Sequence, residues 1–219
     1  IGRINLNTHT TIYSFKTSCK IEVTTLTHIM INIVLFGKPG AGKGTQAEFL
    51  KEKYKLTHLS TGDIFRFNLK NDTDLGKQAR VFMDSGELVP CEVTTAMLID
   101  EVKKHPDTAG FLFDGYPRTL DQAEALDQFL PTIGSSVTAT VALEADDEIL
   151  VARLLERGKT SGRADDQDEE KIRVRYQEYN EKTAPLIGYY KEQNKFHAVN
   201  GIGTIEEITE RLTSVIDNL

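Results

Sequence analysis

At 219 residues, with 39% hydrophobic and 27% charged residues, the chain is long enough for one sizeable core and ordinary in composition for a soluble globular fold. A net charge of -7 and a pI near 5.3 argue against a general nucleic-acid or membrane-surface binder, so any positive charge that a phosphate ligand needs must be local. Two cysteines, Cys19 and Cys91, are too few for a zinc quartet, do not form a disulfide framework and suit a reducing compartment; no apolar run approaches the length of a transmembrane helix.

Residues 1–29 stand apart, with seven threonines, one acidic residue (Glu22) and three basic ones, Arg3, Lys16 and Lys20. A transit peptide is acid-poor like this but richer in arginine, and a secretory signal needs a continuous apolar stretch that is missing. Met30 sits immediately before an apolar strand, where a start codon would be expected. Residues 1–29 are therefore expected to be a disordered, dispensable extension; their acid-poor composition is the one feature that favours a targeting or partner segment instead.

The run at 31–36, Ile-Asn-Ile-Val-Leu-Phe, is rich in β-branched residues and stopped by Gly37, and reads as a fully buried parallel strand. Behind it Gly37-Lys38-Pro39-Gly40-Ala41-Gly42-Lys43-Gly44-Thr45 turns into a helix predicted over 43–54. Glycines at 37, 40, 42 and 44 let the backbone bend and aim successive N–H groups inward. The helix N-terminus adds partial positive charge and Lys43 a full one. A polyphosphate is the ligand that wants this arrangement. The segment departs from the phosphate-loop pattern once: Gly44 stands where Ser or Thr should follow the lysine, and Thr45 comes one place later.

Further strands are predicted near 57–59, 110–113, 137–143 and 196–199. Helices are predicted at about 61–70, 74–84, 90–104, 119–129, 146–157, 167–182, 185–193 and 204–217. The alternation points to a parallel sheet covered on both faces, an α/β fold. Gly158 to Gly162 reads as a tight connection between two charged helices.

Three more segments lie at the carboxyl ends of predicted strands, the edge where such sheets bind ligands. Leu59-Ser60-Thr61-Gly62-Asp63-Ile64-Phe65-Arg66 offers a hydroxyl, a helix N-terminus and, one turn on, an arginine. Phe113-Asp114-Gly115-Tyr116-Pro117-Arg118-Thr119, followed by Gln122, ends an apolar strand in an aspartate placed to sit beside a metal, with Arg118 able to point back over the same edge. Arg153, Arg157, Arg163, Arg173 and Arg175 flank the short glycine turn. Any one of these could pair with a helix acid, as Arg153 could with Glu148 or Glu156. Together they suit the charge that phosphoryl transfer spreads over three oxygens.

From Met30 onward these motifs, with Thr183-Ala184-Pro185-Leu186-Ile187, resemble those of adenylate kinase in the same order. The displaced threonine is normal in that family. The resemblance implies a P-loop NTPase-type three-layer α/β/α domain at 30–219, with a five-stranded parallel sheet. It also implies a helical AMP-binding segment at about 60–89 and a short lid at about 157–167. It implies reversible, Mg²⁺-dependent transfer from ATP to AMP giving two ADP. Carried over position by position, Gly40, Ala41, Gly42, Lys43, Gly44, Thr45, Arg153, Arg157 and Gly203 would bind ATP. Thr61, Arg66, Glu87, Leu88, Val89, Gly115, Tyr116, Pro117, Arg118, Gln122, Arg163 and Arg175 would bind AMP. Lys43, Arg118, Arg157, Arg163 and Arg175 would carry the chemistry, and Asp114 would orient the waters of Mg²⁺, with Thr45 near it. The short connection at the lid implies no zinc. The chain is expected to work as a cytoplasmic monomer without nucleic-acid or membrane partners.

Three rival readings stand beside this one. A UMP/CMP kinase shares the fold and the short lid but tends to carry Ala at the place of Thr61 and Asn at that of Thr119. A regulatory GTPase switch needs an Asn-Lys-x-Asp guanine reader, which the chain lacks. A non-catalytic nucleotide scaffold has no need of Lys43 and the arginine set.

Overall fold

The computed structural model describes residues 30–85 and 87–219. The expectation for residues 1–29 lies outside them. Five strands, β1 (Ile33–Phe36), β2 (Thr57–Ser60), β3 (Phe111–Asp114), β4 (Ala139–Glu144) and β5 (Phe196–Asn200), form one parallel sheet in the order β2-β3-β1-β4-β5. β1 is central: Ile33 pairs with Leu112 on one side and Ala139 on the other. Its residues are all buried and their side chains alternate between two core layers. Ile33 and Leu35 pack with Ala47, Leu50, Leu154 and Leu212, while Val34 and Phe36 pack with Leu98, Leu126, Leu186 and Tyr190. Each such fully buried aliphatic or aromatic side chain contributes about 1.5–3 kcal/mol, so the two-sided burial of β1 fixes its register firmly.

The first layer is supplied by α1 (Lys43–Tyr54), α6 (Asp147–Ser161), α7 (Glu169–Glu178) and α9 (Ile205–Ile216). The second comes from α4 (Cys91–Lys103), α5 (Leu120–Phe129) and α8 (Leu186–Glu192). α2 (Thr61–Lys70) and α3 (Asp74–Ser85) fold over a small core of their own around Phe65, Ala79 and Val89. That core makes the segment after β2 a helical unit beside the sheet.

The predicted elements are present, most of them within one or two residues of their expected bounds. β1 starts at Ile33 rather than Ile31 because Asn32 is buried and committed elsewhere. Its Nδ2 donates to Ser135 Oγ and the Ser136 carbonyl at 2.6 and 2.8 Å, and its Oδ1 accepts from the Phe111 amide at 3.0 Å. A larger correction concerns Gly158 to Gly162. The expected connection is helical through Ser161, and α6 ends only where Gly162 takes φ 66°. Gly158 is there for close packing: a Cβ on it would come within 2.6 Å of the Asp166 carbonyl. The helix expected over 167–182 covers α7 and then widens into a π-helical turn, Tyr179–Thr183, closed by the Ala184 amide on the Tyr179 carbonyl at 2.8 Å.

Candidate active site

The carboxyl ends of β1, β2 and β3 converge on one edge. Leu35 lies in register with Asp114 of β3, and Asp114 with Ser60 of β2. The glycine turn, the start of α2 and the segment Asp114 to Arg118 all leave the sheet at this edge.

After Phe36 the chain makes the expected glycine turn. Gly40 and Gly42 take φ 86° and 90°, which L side chains rarely adopt, and a Cβ on Gly40 would also meet the Leu150 carbonyl at 2.8 Å. Gly44, by contrast, is helical and lies in the first turn of α1, so only Gly37, Gly40 and Gly42 supply the bend. Gly42 is the N-cap and has no side chain to occupy the leading N–H groups of α1. Those N–H groups are therefore offered to a ligand.

Lys43 Nζ donates to the Gly37 and Lys38 carbonyls at 2.6 and 3.2 Å. Its pKa is pushed down to about 8, by burial first and then by Arg118, Arg175 and Arg157, against the opposing pull of Asp114. A cation held this far from its preferred state is stabilised by any incoming anion. Asp114 shows the converse. Burial raises its pKa, but His58, Lys43 and Arg118 outweigh that and hold it below the usual carboxylate range. His58 Nε2 lies 3.6 Å from Asp114 Oδ2, an electrostatic rather than a hydrogen-bonding distance, and Nδ1 lies 3.6 Å from Glu48 Oε1.

A cleft of about 1060 Å³, open to solvent, runs from Lys43 along α2. Thr61, Arg66, Glu87, Leu88, Val89, Gly115, Pro117, Arg118, Gln122 and Arg175 line it. Thr61 is buried and its Oγ1 donates to the Gly115 carbonyl at 2.9 Å. Ser60 caps α2 by accepting from the Asp63 amide at 3.3 Å, and Arg66 reaches back to Asp63 Oδ1 at 2.5 Å. Arg118 is fixed at three points: its Nε donates to the Gly115 carbonyl at 2.7 Å, its amide to Gln122 Oε1 at 2.8 Å, and its carbonyl accepts from Thr183 Oγ1 at 2.9 Å. Burial, then the neighbouring Arg175, lowers the Arg118 pKa to about 10. The Tyr116 side chain does not reach the cleft. It is 1% exposed, and its hydroxyl is engaged by Thr95 and by the Gln122 carbonyl at 3.0 and 3.1 Å. Its side chain has a core role and braces the turn before Arg118.

A second cleft of about 770 Å³ opens on the other side of the glycine turn. Gly40, Ala41, Gly42, Thr45, Arg153, Arg157 and Gly203 line it together with Gln46, Ile205 and Ile208. Arg153 donates to the Gly201 carbonyl at 3.3 and 3.4 Å rather than pairing with Glu148 or Glu156. Arg157 and Arg175 meet on Asp166, a residue the sequence reading did not single out. Arg157 donates from Nε and Nη2 at 2.7 and 3.0 Å, Arg175 from Nη1 at 2.8 Å, and Arg175 also pairs with Asp165 at 2.9 Å. Asp166 is fully buried; burial raises its pKa, but the two arginines hold it below the usual range. The signal for it was present as two adjacent acids in the short connection between arginine-bearing helices. Arg163 lines neither cleft and lies 3.5 Å from Asp63 Oδ1, across from Arg66. Arg173 is exposed and pairs with Glu169 one turn earlier, so it takes no part.

Two clefts thus flank one concentrated positive charge inside an acidic protein. Among the described residues no group of three His, Cys, Asp or Glu side chains converges as a metal cage, and no helix is long and apolar enough to cross a membrane. Residues 35–195 match the family described as adenylate kinase. The chain is 94% identical to an adenylate kinase of Flavobacterium johnsoniae over 190 residues, which is 87% of this chain and all of that protein. Over the same shares it is 76% identical to an adenylate kinase of Flavobacterium psychrophilum and 46% identical to one of Bacteroides fragilis.

Proposed function

Since the chain belongs to the adenylate kinase family and transfers a phosphoryl group reversibly from ATP to AMP, giving two ADP, we propose that ATP takes the cleft beside the glycine turn and AMP the cleft along α2. The observation that carries this division is the single cation cluster on which both clefts end. Lys43, Arg118 and Arg175 belong to one cleft and Arg157 to the other, and the three arginines all depress the pKa of Lys43.

In this reading Lys43 exchanges its two carbonyl partners for oxygens of the β and γ phosphates, and the N–H groups of Gly40 to Thr45 cradle the rest. Arg153 and Gly203 flank the ATP base and sugar. On the AMP side Arg66 and Arg118 take the monophosphate, with Thr61, Gly115, Pro117, Gln122 and the stretch Glu87, Leu88 and Val89 around the nucleoside. Arg118, Arg157, Arg163 and Arg175 neutralise the charge that grows on the transferred group. Little covalent chemistry falls to the protein; alignment and fixed charge supply most of the rate. Water must be kept from the transferred group, or hydrolysis competes.

Members of this family generally use Mg²⁺ with ATP. The donors here fit a cation that keeps most of its waters: one ionised carboxylate, Asp114, beside Lys43, and the exposed Thr45 at the start of α1. When bound, the ion would neutralise phosphate charge, and Asp114 would hold it through its waters. The cysteine usage supports a reducing cytoplasmic setting, with the monomer as the working unit.

A coupled assay offering AMP, CMP, UMP and GMP with Mg-ATP tests the division, run on the wild type and on Arg118→Ala. AMP should be preferred. Arg118→Ala should lose turnover by about 10²–10³-fold, as for removal of one preorganised contact to a transition state. Near-normal turnover in Arg118→Ala would overturn its assignment, and equal use of a pyrimidine monophosphate would overturn the adenine reading of the α2 cleft.

A further inference from the structure

The glycine turn is fastened from outside by a residue that neither cleft uses. Lys38 lines neither cleft, and its Nζ contacts both oxygens of Asp147, at 2.7 and 2.9 Å. Asp147 is the first residue of α6. The same ammonium lies 5.5 Å from the centre of the Tyr176 ring, and the Tyr176 hydroxyl donates to the Pro39 carbonyl at 3.3 Å. Tyr176 is buried in α7 and directly follows Arg175. The carbonyl of Lys38 meanwhile accepts from the Ala41 amide at 3.1 Å and from Lys43 Nζ at 3.2 Å. The Lys38 side chain therefore grips the two helices that carry Arg157 and Arg175, while its backbone sets where Lys43 rests.

We propose that Lys38 is a positioning residue for ATP: it clamps residues 38 and 39 against α6 and α7, so that the glycine turn and the arginines of those helices keep one relative geometry. It does not touch the nucleotide. The ion pair is only partly shielded, with side-chain exposures of 21% and 46%. An exposed pair of this kind is worth little by itself, so its effect lies in the order it imposes on the turn rather than in fold stability. A guanidinium can hold a carboxylate with two contacts and stack on an aromatic ring, so arginine should replace Lys38. The inference rests on assigning the glycine turn to ATP.

The test is equilibrium binding of ATP and of AMP, with kcat and KM for each, in Lys38→Met, Lys38→Arg, Asp147→Asn and the double variant Lys38→Met/Asp147→Asn. Lys38→Met should weaken ATP binding about fivefold, the scale of one lost clamp, and leave AMP affinity unchanged. Asp147→Asn should shift ATP in the same direction, the double variant should be no worse than Lys38→Met, and Lys38→Arg should stay within about twofold of wild type. If Asp147→Asn tightens ATP while Lys38→Met weakens it, Lys38 is a direct phosphate contact and the positioning role is overturned. Equal losses for ATP and AMP accompanied by a lower Tm would reduce it to a fold contact. Lys43→Met measured alongside separates the two claims. If it too keeps wild-type ATP affinity, the turn is not the ATP site and this inference falls with it. If only Lys38→Met does, the site stands and the role of Lys38 is overturned.

Discussion

Asp166 holds Arg157 in a two-pronged pair, Nε to Oδ2 at 2.7 Å and Nη2 to Oδ1 at 3.0 Å, with the carboxylate fully buried. Asp166→Asn removes the charge and leaves two guanidinium groups facing a neutral amide. The variant should lose about 1–3 kcal/mol at neutral pH, less than for a fully buried pair because Arg157 keeps solvent contact. The sign with pH follows from the depressed native pKa. Between that value and the unfolded value of about 3.9 the unfolded chain holds more protons, so stability rises with pH there. The contribution is complete above the unfolded value and is lost as pH falls through the native one. Urea unfolding of both proteins from pH 7 downward checks this: their stabilities should converge in acid, and a constant gap would contradict it.

Lys43→Met should separate activity from stability. Turnover should fall by about 10²–10³-fold, since a preorganised charge facing the transferred phosphates is gone. The nucleotide-free protein should be at least as stable as wild type at pH 7, because a half-buried cation held away from its preferred charged state has been removed. The native pKa near 8 lies below the ordinary 10.5, so the wild-type chain releases its proton earlier when folded and gains stability from Lys43 as pH rises from about 8 to 10.5. That rise should be flattened in the variant. Thermal melts at pH 7 and 9.5 decide it, and a marked loss at pH 7 would show that Lys43 supports the fold.

Thr61→Ala removes a hydroxyl that is buried at the mouth of α2 and bonded to the Gly115 carbonyl. The variant should relax discrimination between AMP and CMP by about tenfold, the scale of one lost polar contact. Competition between the two monophosphates at fixed Mg-ATP gives the ratio. An unchanged ratio would take Thr61 out of base reading.

Gly158→Ala runs against the usual helix preference. Alanine in place of glycine within an exposed helix normally gains up to about 1 kcal/mol. Here the new Cβ would stand 2.6 Å from the Asp166 carbonyl, and backbone cannot move aside cheaply. The variant should instead lose about 1–3 kcal/mol by overpacking, with a lower Tm and a disturbed Arg157–Asp166 pair. A higher Tm would mean the short connection gives way freely.

The parts legible in the sequence were those with a period or a fixed chemical spacing. β1 could be read because both its faces are buried, so an uninterrupted apolar run marked it. The glycine turn could be read because only glycine serves at φ near 90° and only a cation beside a helix start wants phosphate. Asn32, Gly158 and Tyr116 were harder, because what they do depends on partners far away in the chain. A lone buried asparagine, a helical glycine facing a distant carbonyl and a tyrosine turned inward leave no local pattern. Asp166 and Lys38 were hidden for another reason. Charged residues usually lie in solvent, and the sequence does not show which acid will be buried beneath arginines or which lysine will reach a neighbouring helix.

Arg66 and Arg163 share the carboxylate of Asp63, one at 2.5 Å and the other at 3.5 Å. Arg66 of the α2 cleft therefore comes with a counter-ion drawn from the protein itself, shared with Arg163 outside the cleft. Under the proposed division a phosphate arriving at Arg66 would exchange with a carboxylate already in place, so its net affinity would be the small difference between two large attractions. Such an ion exchanger lets a highly charged product go as readily as it takes a substrate. For a reaction that must run in both directions, loose retention of the nucleotide serves turnover better than a tight grip.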